Sequence, residues 1–215
     1  MNETKIIKFI DLFAGIGGTR IGFEQACKEL NLKPKCVFTS EIKTDAISVY
    51  KRNFNDEKVF GDITQINEKE IPDFNFLLAG FPCQPFSSAG SRKGFMDTRG
   101  TLFFDIERII KEKNPDGFLL ENVEGLVNHD KVNKKATIGR TLETILKSLE
   151  NLGYKVSWKV LNAGEYGVPQ KRKRIYILGR KDSLVNLYDI EKEDTKLEDI
   201  LEKNLPALQS DFTKK

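Results

Sequence analysis

A doubly wound α/β domain with a mostly parallel sheet is the fold this chain predicts. Two observations predict it. Short apolar runs of strand length alternate along the chain with amphipathic helical patterns. Several of those runs also end in residues that can do chemistry or grip a ligand: Asp11 to Gly18, Glu41, Asp62, Cys83 and Glu121. The carboxyl edge of an open parallel sheet is where such side chains collect.

The first strand runs from Ile6 to Phe13 and enters the glycine loop Asp11-Leu12-Phe13-Ala14-Gly15-Ile16-Gly17-Gly18. A helical pattern through Ile21, Phe23 and Ala26 follows. A strand, a glycine loop and a helix bring backbone close to a nucleotide-like ligand. The dinucleotide fingerprint would need a third small residue at position 20, where the chain has Arg20. A nucleoside-type cofactor with no pyrophosphate fits better; a plain βα turn is the bland alternative.

Lys35 to Ser40 is the second strand, and Glu41 at its end is placed to accept hydrogen bonds from ribose hydroxyls. Thr44 to Phe54 is a helix whose core face is Ala46, Ile47, Val49 and Tyr50. Val59 to Ile63 reads as a short strand, with Asp62 at its exit able to accept from an adenine amino group and Ile63 packing on the base. Phe74 to Ala79 is a buried strand that opens into Gly80-Phe81-Pro82-Cys83-Gln84-Pro85-Phe86-Ser87. Cys83 arrives in the loop as a nucleophile that reaches its thiolate near neutral pH, with prolines restricting the backbone on both sides. Taken alone, it also reads as a small buried hydrophobe in a turn.

The stretch from Ser88 to Gly100 is basic and glycine-containing, and reads as a mobile loop. Thr101 to Lys113 is a helix with Leu102, Phe103, Ile106, Ile109 and Ile110 on its core stripe. Asn114-Pro115 stops it, and the strand Gly117 to Leu120 leads to Glu121-Asn122-Val123. A surface loop over Lys131 to Arg140 precedes an amphipathic helix from Arg140 to Leu152 and a strand from Lys155 to Leu161. Gln170-Lys171-Arg172-Lys173-Arg174 then enters the strand Ile175 to Gly179. Alternation places Arg172 and Arg174 on one face, suited to gripping a phosphate or a base oxygen. From Arg180 onward the chain is charged, with one short helix over Leu197 to Leu201. The expected division is a domain over 1–180 and a charged extension over 181–215.

Composition narrows the classes. The 215 residues hold one good core, and 39% hydrophobic with 31% charged residues describe an ordinary globular protein. No apolar run reaches membrane-spanning length and Met1 to Phe9 is not a signal peptide, so a cytoplasmic protein with no membrane partner is expected. Cys27, Cys36 and Cys83 form no close pair, and His129 is the one histidine. A disulfide framework, a metal site and a histidine-based triad are therefore not expected. Acid–base work falls to carboxylates or to the substrate. A net charge of +3 does not by itself imply nucleic acid.

Four motifs in order carry a resemblance. The glycine loop from Asp11, the loop Gly80 to Ser87, Glu121-Asn122-Val123 and Gln170 to Arg174 together resemble the cytosine-C5 DNA methyltransferase family, which uses S-adenosyl-L-methionine. The resemblance covers about Lys8 to Gly179 and implies a Rossmann-like methyltransferase fold. It implies that Phe13, Gly15, Ile16, Gly17, Gly18, Glu41, Ile42, Asp62, Ile63, Pro82 and Leu102 line the cofactor. Cys83 matches the family nucleophile, Glu121 and Asn122 its acid motif, and Arg172 and Arg174 its basic motif. The implied partner is double-stranded DNA with a flipped-out cytosine, in a restriction-modification setting. The family's target-recognition segment and final motifs have no counterpart after Gly179. A second polypeptide carrying them, or a truncated chain, is the corresponding expectation. The alternatives are a tRNA cytosine-C5 methyltransferase and a non-catalytic cofactor- or partner-binding subunit. A nicotinamide oxidoreductase is disfavoured by Arg20 and the cysteine loop.

Overall fold

The computed structural model describes residues 4–55, 58–82, 102–133 and 135–201. Six strands form one sheet: β1 (Ile6–Leu12), β2 (Lys33–Ser40), β3 (Phe76–Gly80), β4 (Gly117–Val123), β5 (Lys155–Asn162) and β6 (Lys173–Arg180). Five helices accompany them: α1 (Gly18–Glu29), α2 (Thr44–Phe54), α3 (Leu102–Lys113), α4 (Arg140–Asn151) and the short α5 (Leu197–Ile200). The strand order is β2-β1-β3-β4-β6-β5. The ladders among β2, β1, β3 and β4 are parallel, and β6 runs antiparallel to both of its neighbours. The sheet is thus mostly parallel, as expected.

The reversal of β6 has a local cause. Parallel neighbours need a crossover, whereas antiparallel ones can be joined by a tight connection. Residues 163–172 are such a connection: the Ala163 N–H donates to the Arg172 carbonyl at 3.0 Å, and the Arg172 N–H to Asn162 Oδ1 at 3.0 Å.

Register fixes what each face of the sheet carries. Leu12, Ala79, Leu120 and Ile177 align across four strands, as do Ile10, Leu77 and Phe118. These residues join Phe103, Ile106, Ile109, Leu142, Ile145 and Leu149 of α3 and α4 in the main core cluster. The i, i+3, i+7 spacing in α3 makes that stripe. On the other face, Phe23 of α1 packs between Phe9 and Phe76, with ring centroids 4.9 and 5.1 Å away. The Tyr50 hydroxyl of α2 donates to Asp11 on the same side. Both faces of the parallel half are therefore covered, which explains its near-continuous apolar strands.

Three expectations need correction. Val59 to Ile63 is not a strand; it makes one isolated parallel bridge, Phe60 to Ser40. The Asp62 side chain accepts from the Thr64 N–H at 3.0 Å and turns the chain into a single 3₁₀ turn over Ile63–Gln65, which ends the pairing at once. Val49 is 39% exposed rather than core, while Tyr50 is fully buried. The strand expected to end at Leu120 continues to Val123, because Glu121, Asn122 and Val123 pair with Tyr176, Ile175 and Arg174 of β6.

Beyond β6 the chain lies against β5. Lys155 Nζ, Ser157 Oγ and Lys159 Nζ, at alternate positions of the strand, donate to the carbonyls of Asp182, Val185 and Leu187. No helix among the described residues is long and apolar enough to cross a membrane.

Candidate active site

The carboxyl ends of β1 and β2 come together around the glycine loop. Phe13 and Gly15 both have φ of 54°, and Gly17 has 91°, so the loop makes successive left-handed turns. A side chain at Gly17 would put its Cβ 2.1 Å from the Phe54 ring, so glycine is required there on two grounds. Arg20 explains the broken dinucleotide fingerprint. It is buried beneath the loop, its guanidinium 4.1 Å from the Phe54 ring centroid, donating from Nη1 to the Tyr50 hydroxyl at 3.0 Å and from Nε to Glu24 at 2.6 Å. Tyr50 in turn donates to Asp11 at 3.0 Å. Burial first, and then the Asp11 charge, push the Tyr50 phenol above the ordinary phenol range. The sequence signalled the oddity at position 20 but not this role.

Glu41 fastens the cradle. It is 8% exposed, and its Oε2 accepts the Gly15 N–H at 2.8 Å. Its Oε1 accepts the N–H groups of Ile42 and Lys43, at 2.8 and 2.9 Å, where α2 begins. The glycine loop and the start of α2 thus share one carboxylate. Ile16 and Ile42 stand 58% and 67% exposed at the lips of this region, as apolar contacts for a bound ligand would. Gly18 opens α1 and is exposed. Asp62 is exposed at the exit of the Phe60 bridge, and Ile63 is 2% exposed and backs the turn from the core. Pro82 is exposed and Leu102, at the start of α3, is half-buried.

A second cluster forms where β3, β4 and β6 meet. Glu121 lies beside Gly80 in the β3–β4 ladder, which puts it on the rim that Cys83 follows. Arg174 Nε reaches Glu121 Oε1 at 3.0 Å. Tyr176 pairs directly with Glu121, and its phenol is pushed up by burial and then by the Glu121 charge, against the opposing pull of Arg174 and Arg172. Nothing in the sequence alone singles out Tyr176. Asn122 points the other way and is 2% exposed: its Nδ2 donates to the Phe81 carbonyl at 3.0 Å, and its Oδ1 accepts the Val123 N–H at 2.8 Å. It pins the backbone two residues before Cys83. Cys83 itself and the loop Ser88 to Gly100 lie outside the described residues.

Arg172 lies one residue before β6 and is exposed, but the Ala163 N–H donates to its carbonyl at 3.0 Å in the register of the β5–β6 ladder. Alternation therefore carries Arg172 and Arg174 to the same side, where both act on the Tyr176 phenol. Both line one cleft of about 580 Å³, together with Val123, Glu124, Gln170, Lys171 and Lys173. The cleft opens beside the Glu121–Arg174 pair, and four cations on one wall suit it to a polyanion.

Comparison with known proteins shows the family. The family model described as C-5 cytosine-specific DNA methylase matches residues 7–215. The Type II methyltransferase M.NgoBV of Neisseria gonorrhoeae is 59% identical over 209 residues, covering 97% of this chain and 49% of that protein. The Type II methyltransferase M1.ScrFI of Lactococcus lactis subsp. cremoris is 52% identical over 206 residues, covering 93% of this chain and 50% of that protein. The chain therefore spans about half the length of the curated relatives it matches. Among solved structures, a mutant of Spodoptera frugiperda DNMT2 superposes with a TM-score of 0.69 at 26% identity, over 93% of this chain and 61% of that one.

Proposed function

The chain belongs to the C-5 cytosine-specific DNA methylase family, and from that premise we propose that it is the catalytic part of a restriction-modification DNA (cytosine-5-)-methyltransferase. The observation that supports this most is the Glu121–Arg174 pair at 3.0 Å on the rim that Asn122 ties to the base of the cysteine loop. S-adenosyl-L-methionine, when bound, supplies an electrophilic methyl group. The cradle fits it. Left-handed turns at Phe13, Gly15 and Gly17 let backbone approach a ligand, Glu41 Oε2 keeps acceptor capacity for a ribose hydroxyl, and Asp62 offers an exposed carboxylate for an adenine amino group. Ile16, Ile42, Ile63, Pro82 and Leu102 supply the apolar surroundings.

C5 of cytosine is too weak a nucleophile to take a methyl group unaided. In the proposed reaction the Cys83 thiolate adds to C6, forming a C–S bond and pushing electrons toward N3 and O2. Glu121 donates a proton to N3, and Arg174, 3.0 Å from that carboxylate, donates to O2 where negative charge develops. C5, now enamine-like, would take the methyl group, with S-adenosylhomocysteine as the leaving product. Transfer of the C5 proton to bound water or another base then re-forms the C5–C6 double bond, expels the thiolate and returns the N3 proton to Glu121. The reacting carbon is hidden in a stacked duplex, so the cytosine must be flipped out. The basic wall from Lys171 to Arg174 would receive the flanking phosphates.

The test is transfer of labelled methyl from S-adenosyl-L-methionine to duplex DNA and to tRNA. It is run with and without a candidate polypeptide carrying a recognition segment, with Cys83→Ser as control. Transfer to DNA, lost in the control, supports the proposal. Transfer only in the presence of the second polypeptide assigns sequence choice to that partner. Transfer to tRNA alone would replace the proposal with its alternative, and transfer that survives Cys83→Ser would end the covalent mechanism.

A further inference from the structure

Arg108, on α3, holds three acceptors at once. Its Nη2 donates to the Ile63 carbonyl at 2.7 Å, its Nη1 to Glu68 Oε2 at 2.6 Å, and its Nε to Asp105 Oδ1 at 3.0 Å. Ile63 directly follows Asp62, and its carbonyl also accepts the Ile66 N–H that closes the short turn. Asp62 therefore sits between two anchors. Upstream, the Phe60 bridge and the Ser40 hydroxyl, which donates to the Gly61 carbonyl at 2.7 Å, tie the chain to β2; downstream it has a single turn that Arg108 grips from the side. Glu68 starts the next short turn, so one guanidinium joins both turns to α3. The Glu68 carboxyl is held below the usual carboxylate range by its own backbone N–H and then by Arg108, so it is charged at neutral pH. A planar guanidinium fork fixes direction as well as distance, which an ammonium does not.

We propose that Arg108 is a positioning residue for the purine end of the nucleoside site. By fixing the Ile63 carbonyl it sets where Asp62 presents its free acceptor, and so sets how strongly a 6-amino purine is preferred over a 6-oxo purine. The inference rests on the proposed role of Asp62 as acceptor for the adenine amino group. Arg108 touches no ligand in this scheme; it acts through the turn.

The test is calorimetric binding of S-adenosylhomocysteine, its 6-oxo analogue S-inosylhomocysteine, and the 2′-deoxyribose form of the adenosyl compound. The full chain is compared with Arg108→Met, Arg108→Lys and Asp62→Asn, each checked for folding by circular dichroism. A hydrogen bond to a carboxylate corresponds to an adenosyl-over-inosyl preference of about tenfold or more. Arg108→Met should cut that preference several-fold while leaving the ribose preference unchanged, with Arg108→Lys in between. If the methionine variant does not fold, the lysine variant must show the reduced preference by itself. An unchanged preference in the folded Arg108 variants, with Asp62→Asn abolishing it, overturns the inference and spares the reading of Asp62. Equal weakening of all three ligands would mean a purely structural role and also overturns it. A normal preference in Asp62→Asn removes the reading of Asp62, and the inference with it.

Discussion

Asn122→Asp should make stability depend on pH in a direction opposite to most carboxylates. In the native chain Asn122 Nδ2 donates to the buried Phe81 carbonyl at 3.0 Å, and the side chain is 2% exposed. The substitution removes the donor and sets a carboxylate against that carbonyl. Leaving the carbonyl unpaired costs about 1–3 kcal/mol. Burial and the facing oxygen also raise the new carboxyl's pKa above its unfolded value of about 3.9, at about 1.4 kcal/mol per unit. With a rise of roughly two units, the total loss at pH 7.5 is about 4–6 kcal/mol. A carboxyl whose folded pKa is raised is stabilising below its unfolded pKa, and that stability is lost as pH rises through the folded pKa. Near pH 4 the protonated carboxyl can donate to Phe81 again, so the loss should shrink to about 1 kcal/mol. Urea unfolding of the native chain, Asn122→Asp and Asn122→Ala at several pH values between 4 and 7.5 measures this. A deficit for Asn122→Asp that matches Asn122→Ala at every pH would refute the argument. It would mean that ionisation of the new carboxyl is not coupled to folding.

Three further outcomes are expected. Gly17→Ala should weaken S-adenosylhomocysteine binding about tenfold or more in calorimetry, because φ is 91° and the new Cβ meets Phe54; unchanged affinity would show that the loop does not seat the ligand. Tyr50→Phe should cost about 1.5–3 kcal/mol in urea unfolding, since the hydroxyl bridges Asp11 and Arg20. The raised Tyr50 phenol contributes stability below its unfolded pKa of about 10 that is lost as pH rises through its higher folded value, so the native chain should lose more stability above about pH 10 than Tyr50→Phe does. Arg172→Ala should lower duplex affinity and reduce the slope of log affinity against log salt by about one, whereas an unaltered slope would take Arg172 out of the phosphate contacts.

Much of this was legible in the sequence because it rests on local chemistry. The span of α2 and the stripe of α3 follow from periodicity, and the glycine loop from its own residues. Glu41 and Glu121 could be placed on one rim because parallel strands present their carboxyl ends together. What was not legible depends on partners distant in the chain. Periodicity cannot tell that β6 reverses between β4 and β5, since its alternation is the same in either direction. Arg108 reads as an ordinary exposed helix residue until Ile63 and Glu68 arrive beside it. Val59 to Ile63 has strand composition, yet Asp62 caps its own turn and cuts the pairing to one bridge. Val49 stays exposed because α2 buries a narrower face than its apolar residues suggest.

The reversal of β6 also bears on the order in which the protein comes into being at the ribosome. The strands that form the cradle, and Glu121 itself, are all made before residue 124. Arg174 reaches Glu121 only after the chain from Gly125 to Arg172 has emerged and β6 has slotted between two strands already made. A nascent chain can thus make the Gly15–Glu41 contact while Glu121 still lacks Arg174. Among the described residues β6 is the last of the six strands in the chain, so the Glu121–Arg174 pair forms only as the gap between β4 and β5 is filled.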